Sequence, residues 1–225
     1  MLDAAIASSD MHLYDLQMLG TAVFAITGVL AVNRQGLDVF GALVLGVVTA
    51  LGGGTLRDMI LGAPVFWLED FNYVWAAAAA ALAAFFLGRL FRRTYLALLY
   101  LDGIGAALFA VVAVDKVLDL HFSAAIAVIM GVMTSIGGGL ARDVLAGRTT
   151  LLMSREIYAT PILLGCTLYV LLRPLTPDGV WSRVLALTCI AGVRVIAIHW
   201  HLTMPGWLTS RDDASSTTGR DDQQG

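Results

Sequence analysis

Charge is scarce in this 225-residue chain: 14% of its residues are Asp, Glu, Lys or Arg, against 58% that are hydrophobic. An average soluble domain is roughly 25% charged, so a soluble protein of this size would lack the polar surface to cover so apolar an interior. Mean hydropathy is +0.79, and apolar runs recur along almost the whole length, as in a polytopic membrane protein. A net charge of -3 without any dense Lys/Arg stripe removes the electrostatic footprint of a nucleic-acid partner. Cysteine is nearly absent, and Cys166 and Cys189 lie inside apolar runs without metal-ligand spacing, so neither a disulfide nor a metal site is expected. His199 and His201 are two apart and point in different directions on a helix. No nucleophile–base set is present, so neither an enzyme nor a cofactor is expected. Asp102-Gly103-Ile104-Gly105 lacks the third glycine of a dinucleotide loop, and no Gly-Lys-Ser/Thr follows the glycine triplets as in a phosphate loop. Met1 to Asp15 holds no Lys or Arg, so the first apolar run reads as a retained span rather than a cleaved signal peptide.

What is abundant is hydrophobic sequence long enough to cross about 30 Å of hydrocarbon. The candidate spans are Leu13–Val32, Val39–Gly62, Tyr73–Phe91, Tyr95–Val114, Phe122–Gly147, Tyr158–Leu172 and Arg183–Leu202. Residues 1–12 form a segment outside the cytoplasm, 13–94 a first three-helix repeat, 95–180 a second, 181–208 a seventh helix, and 209–225 a Ser/Thr/Asp/Gln-rich disordered cytoplasmic tail. One side of the membrane holds Arg34, Arg89, Arg92, Arg93, Arg148, Arg155, Arg211 and Arg220; the other holds Lys116, Arg173 and Arg183. The excess places the C-terminus in the cytoplasm and the N-terminus outside. Arg57, Arg142 and Arg194 fall within membrane depth and are not counted.

The chain repeats itself at an offset of 85 residues. Gly52-Gly53-Gly54-Thr55-Leu56-Arg57-Asp58 matches Gly137-Gly138-Gly139-Leu140-Ala141-Arg142-Asp143, and Gly20, Phe24, Gly46, Thr49, Gly62 and Tyr73 pair with Gly105, Phe109, Gly131, Thr134, Gly147 and Tyr158. Three spans per unit is an odd number, so the second unit enters the membrane from the opposite side. The expected fold is all-α: seven transmembrane helices as an inverted 3+3 repeat plus one C-terminal helix, a design that places a solute path between the halves.

Each glycine in a helix costs about 1 kcal/mol relative to alanine, and opened backbone in lipid is tolerated only where protein or water satisfies it. Duplicated triplets inside spans two and five therefore predict that each helix kinks or unwinds there beside a wet path, with close helix packing as the alternative. Arg57, Asp58, Arg142 and Asp143 are too costly to face lipid. Because adjacent residues on a helix diverge, Arg57 is expected to pair with Asp143, and Arg142 with Asp58; the alternative is that all four are interfacial charges at the ends of short helices. Thr49, Thr134 and Ser135 either line the path or back-bond to the preceding turn. Asp102, whose repeat mate is Gln17, either attracts cations as a pore acid or anchors the interface. Asp115 and Lys116 read as surface charges closing the fourth span.

Seven spans, a three-plus-three repeat and a duplicated Gly-Gly-Gly-x-x-Arg-Asp resemble the prokaryotic trimeric intracellular cation (TRIC) channels, over about Leu13 to Leu202. These fall within a wider bacterial group labelled as glycine transporters. The resemblance implies a homotrimer in the bacterial inner membrane, surrounded by lipid. Each protomer would hold its own pore between kinked second and fifth helices, permeable to monovalent cations, K+ or Na+ and mainly potassium. A secondary transporter of glycine or another small amino acid is the alternative. Carried over, the kinks fall at Gly52–Gly54 and Gly137–Gly139, followed by Arg57-Asp58 and Arg142-Asp143. The fifth span has no Lys-Glu-Val, the motif beside which animal members bind an inositol phospholipid, so that regulation is not carried over.

Overall fold

The computed structural model describes residues 2–33, 35–88, 94–153, 157–176, 179–200 and 202, with the side chains of 2–12 and 94 outside the description. The tail expected at 209–225 lies outside these residues, as do Arg34, Arg89, Arg92, Arg93 and Arg155. Among the described residues there are eight α-helices and no strand: α1 (Leu2–Val32), α2 (Val39–Leu61), α3 (Phe66–Glu69), α4 (Asn72–Leu87), α5 (Thr94–Asp119), α6 (Ala124–Leu145), α7 (Ala159–Leu172) and α8 (Val180–His199). Short 3-10 turns occupy Leu151–Met153 and Arg173–Leu175.

Five of these segments are long and apolar enough to span a bilayer: Leu13–Val32, Val39–Leu61, Tyr95–Asp119, Ala124–Leu145 and Val180–His199. The expected third and sixth spans are shorter apolar helices, α4 with 16 residues and α7 with 14. At 1.5 Å per residue these reach only about 24 and 21 Å. The fourth expected span is longer than predicted, since α5 continues through Asp115 and Lys116 to Asp119. The first helix likewise runs through the expected outer segment, back to Leu2.

The repeat is visible in element boundaries and caps. Asp38 caps α2 and Ser123 caps α6, each by a side-chain oxygen accepting a backbone N–H three residues on. Both helices stop at a left-handed glycine, Gly62 (φ 64°) and Gly147 (φ 62°), a conformation that side chains resist. α3 has its counterpart in the turn Leu151–Met153, 85 residues on.

The core lies where α1, α2, α5 and α6 meet, with α4 packed on α1 and α2, and α7 and α8 packed on the second unit. Small residues set the spacing: in the run Ala76–Ala81, Ala77 and Ala81 are fully buried. Contacts exchange between the units. A side chain at Gly105 would meet the Phe24 ring, and one at Gly20 the Phe109 ring; the two rings are 5.1 Å apart. Residue 20 with 109, and 24 with 105, is the reciprocal pattern of an approximate two-fold, and it makes α1 and α5 antiparallel.

Candidate functional site: the α2–α6 crossing and its charged nodes

The triplets mark where α2 and α6 cross. Both helices run unbroken through them, so the expected unwinding does not occur. A methyl group at Gly53 would land on the Thr134 carbonyl oxygen, and one at Gly138 on that of Thr49. The middle glycine of each triplet thus serves close approach, and the backbone keeps its helical hydrogen bonds because the partner helix, not water, fills the space. Nothing lies within 4 Å of a Cβ at Gly52, whereas one at Gly137 would be 3.4 Å from the Gly53 Cα. The third glycines differ: Gly54 lies under the Phe66 ring, and Gly139 beside Asp102 and the Tyr158 hydroxyl.

Thr49 Oγ1 donates to the Leu45 carbonyl at 2.6 Å and Ser135 Oγ to that of Val132 at 3.0 Å. These two hydroxyls back-bond. Thr134 Oγ1 is buried and has no partner among the described residues.

Beyond each triplet comes a charged node. Arg57 Nε donates to Asp58 Oδ1 at 2.8 Å, and Arg142 Nε to Asp143 Oδ1 at 2.8 Å. The second carboxylate oxygen of each aspartate accepts the N–H that opens the next short element, Phe66 at 3.0 Å and Leu151 at 3.1 Å. Each Asp therefore ties a helix end to the segment after its glycine turn.

This overturns the expected cross-pairs Arg57–Asp143 and Arg142–Asp58. Pairing of Gly53 with Thr134 and of Thr49 with Gly138 makes α2 and α6 antiparallel. In that register Arg57 lies level with Met130, and Asp143 is 13 residues, about 20 Å, further along α6. Divergence of neighbouring side chains holds at Cβ, but the long arginine stem carries Nε back to the next residue.

The nodes differ in their remaining partners. Lys116 Nζ lies 2.9 Å from Asp58 Oδ1, with its side chain 28% exposed. In the second node, Arg142 Nη1 donates to Asp102 Oδ1 at 2.8 Å, and Arg194 of α8 lies 3.6 Å from Asp102 Oδ2 and 4.5 Å over the Tyr158 ring. Asp102 thus anchors two arginines. A third network joins α5 to α7 and α8: Asp115 is buried, accepts the Tyr169 hydroxyl, and pairs with Arg183 at 2.9 Å and Arg173 at 3.3 Å. Asp115 and Lys116 are therefore ion-pair members rather than surface charges, and Arg183 is a buried residue rather than a loop cation.

Sequence reasoning missed the α5–α8 pairs, yet a signal existed. Asp102 and Asp115 on one apolar helix match Arg194 and Arg183 on another when the two are set antiparallel. Neither Cys166 nor Cys189 is paired. No cluster of three metal-ligating side chains exists among the described residues.

This arrangement can be compared with known proteins. The family described as "Glycine transporter" matches residues 15–89 and 99–174, one match per repeat. A UPF0126 membrane protein of Vibrio cholerae serotype O1 is 40% identical over 212 residues, covering 93% of this chain and 89% of its own. The UPF0126 inner membrane protein YadS of Escherichia coli K12 is 41% identical over 202 residues, covering 87% and 96%. Among solved structures, a TRIC trimeric intracellular cation channel orthologue from Rhodobacter sphaeroides is similar with a TM-score of 0.82 and 36% identity, over 84% of this chain and 98% of that one.

The chain belongs to the prokaryotic TRIC family, within the group described as glycine transporters. A further prokaryotic TRIC channel, solved in 0.5 M KCl, is 26% identical with a TM-score of 0.80, over 86% of this chain and 99% of that one. The TRIC-like fold explains why α4 and α7, short as spans, recur at matching places on either side of the α2–α6 crossing.

Proposed function

We propose that this protein is a potassium-permeable monovalent cation channel of the bacterial inner membrane. It acts as a homotrimer with one pore per protomer, bounded by α2 and α6. The chain crosses the membrane seven times as an inverted 3+3 repeat plus α8, with its N-terminus outside and its C-terminus cytoplasmic. The two nodes, about 20 Å apart along the crossing, then flank the path toward opposite membrane faces.

The observation that carries this reading is the pairing of the arginines. Unpaired, Arg57 and Arg142 would repel potassium and favour a carboxylate-bearing solute such as glycine. Arg57 is ion-paired with Asp58, which also meets Lys116 and leaves that node one charge positive, and Arg142 is paired with Asp143 and Asp102. Pairing also offsets the cost of placing charge at membrane depth. Neither arginine is then left as a free carboxylate-binding cation, which favours a cation path over one for a zwitterion.

The test uses purified full-length protein in planar bilayers under a potassium gradient, with glycine uptake measured in matching proteoliposomes. Discrete current steps that reverse near the potassium potential are expected. Silent bilayers with saturable glycine uptake would replace the channel by a carrier.

A further inference from the structure

The second node contains a charge that the repeat does not supply. Arg194 comes from α8, which has no counterpart in the first unit, and it reaches Asp102 beside the third glycine of the α6 triplet. It is 1% exposed, and apart from the Tyr158 ring 4.5 Å from its guanidinium its polar contacts are loose. Its Nη1 donates to the Ile157 carbonyl at 3.3 Å, and its Nε and Nη2 have no hydrogen-bond acceptor among the described residues. Gly103 provides the clearance, since a Cβ there would stand 3.3 Å from the Arg194 Cβ.

Neither Asp102 nor α8 depends on this residue alone for its anchoring. Asp102 already accepts a 2.8 Å hydrogen bond from Arg142, and α8 is already tied to α5 by Arg183 on Asp115 at 2.9 Å. Burying a further guanidinium on weak contacts costs several kcal/mol, and a well-packed apolar residue is often the more stable choice. What Arg194 changes is charge. Asp102 and Asp143 face Arg142 and Arg194, so the node is neutral; without Arg194 it would carry one net negative charge.

We propose that Arg194 is an ion-preference residue: α8 uses it to cancel the negative charge of Asp102 beside the α2–α6 crossing, lowering the local potassium concentration on that side of the path. The inference rests on the channel reading above. A fixed charge acts on conductance by enriching or depleting ions near the path, an effect large at low ionic strength and small when bulk ions are abundant.

Single-channel potassium conductance of the full chain, recorded at about 0.01 M and about 1 M KCl, tests it. Arg194→Gln is expected to raise the low-salt conductance about twofold or more and to leave the high-salt value near wild type. Arg194→Lys, which keeps the charge, should restore the wild-type ratio. Asp102→Asn provides an independent arm if Arg194→Gln does not fold: it leaves the node one charge positive and should depress low-salt conductance. Equal low-salt conductance in wild type and Arg194→Gln, or a change that persists at high salt, overturns the proposal while leaving the channel in place. Absence of current from every form, wild type included, sinks both readings.

Discussion

Arg57 and Arg142 are each compensated at depth by the residue that follows in sequence. The aspartate binds the guanidinium with one oxygen and the next element's N–H with the other. Breaking a buried pair by removing one partner costs about 3–5 kcal/mol, because the other charge is left uncompensated. Asp143→Asn should therefore lower the thermal unfolding temperature markedly in detergent. The double exchange Arg57→Asp with Asp143→Arg is expected to be no more stable than the worse of its single changes, since the two positions are about 20 Å apart. Recovery of wild-type stability in that double variant would reinstate the cross-paired arrangement.

Between helices, the triplets are not equivalent glycine by glycine. Gly53→Ala and Gly138→Ala each push a methyl into a carbonyl of the opposing helix. Each should cost at least about 1–3 kcal/mol as overpacking, read as a fall in unfolding temperature. Gly52→Ala meets nothing and is expected to be neutral or stabilising by up to about 1 kcal/mol, from helix propensity alone. A uniform loss at all three positions would instead indicate backbone opening along the triplet. The α5–α8 pair obeys a similar register logic, with Asp102 and Asp115 set against Arg194 and Arg183 so that the helices run antiparallel with charges aligned at both ends.

For the whole molecule, the reciprocal contacts of Gly20, Phe24, Gly105 and Phe109 and of Thr49, Gly53, Thr134 and Gly138 relate the two units by an approximate two-fold, while α8 covers only the second. The seven crossings proposed above predict opposite sides for the termini, and the Arg excess on one side predicts a cytoplasmic C-terminus. A fluorescent reporter at the C-terminus should mature in the cytoplasm, and a phosphatase active only outside the inner membrane should work when fused at the N-terminus. Phosphatase activity from the C-terminal fusion would reverse the orientation. Native mass spectrometry is expected to find three chains per particle.

Hydrophobic run length, the 85-residue echo and the Gly-Gly-Gly-x-x-Arg-Asp motif were enough to define an all-α membrane protein and to mark the glycine triplets and the charged residues that follow them, because each is a local or periodic property of the chain. The pairing partners were not legible. Arg57 turns back on its own neighbour Asp58, and Asp143 is out of reach because of the direction and register in which α2 passes α6, set by where two glycines let the backbones touch. Helix continuity through the triplets was decided in the same way, by packing against a distant segment rather than by propensity. The recruitment of Lys116, Asp102, Asp115, Arg183 and Arg194 into buried networks joins residues far apart in sequence, so only the tertiary structure could bring them together.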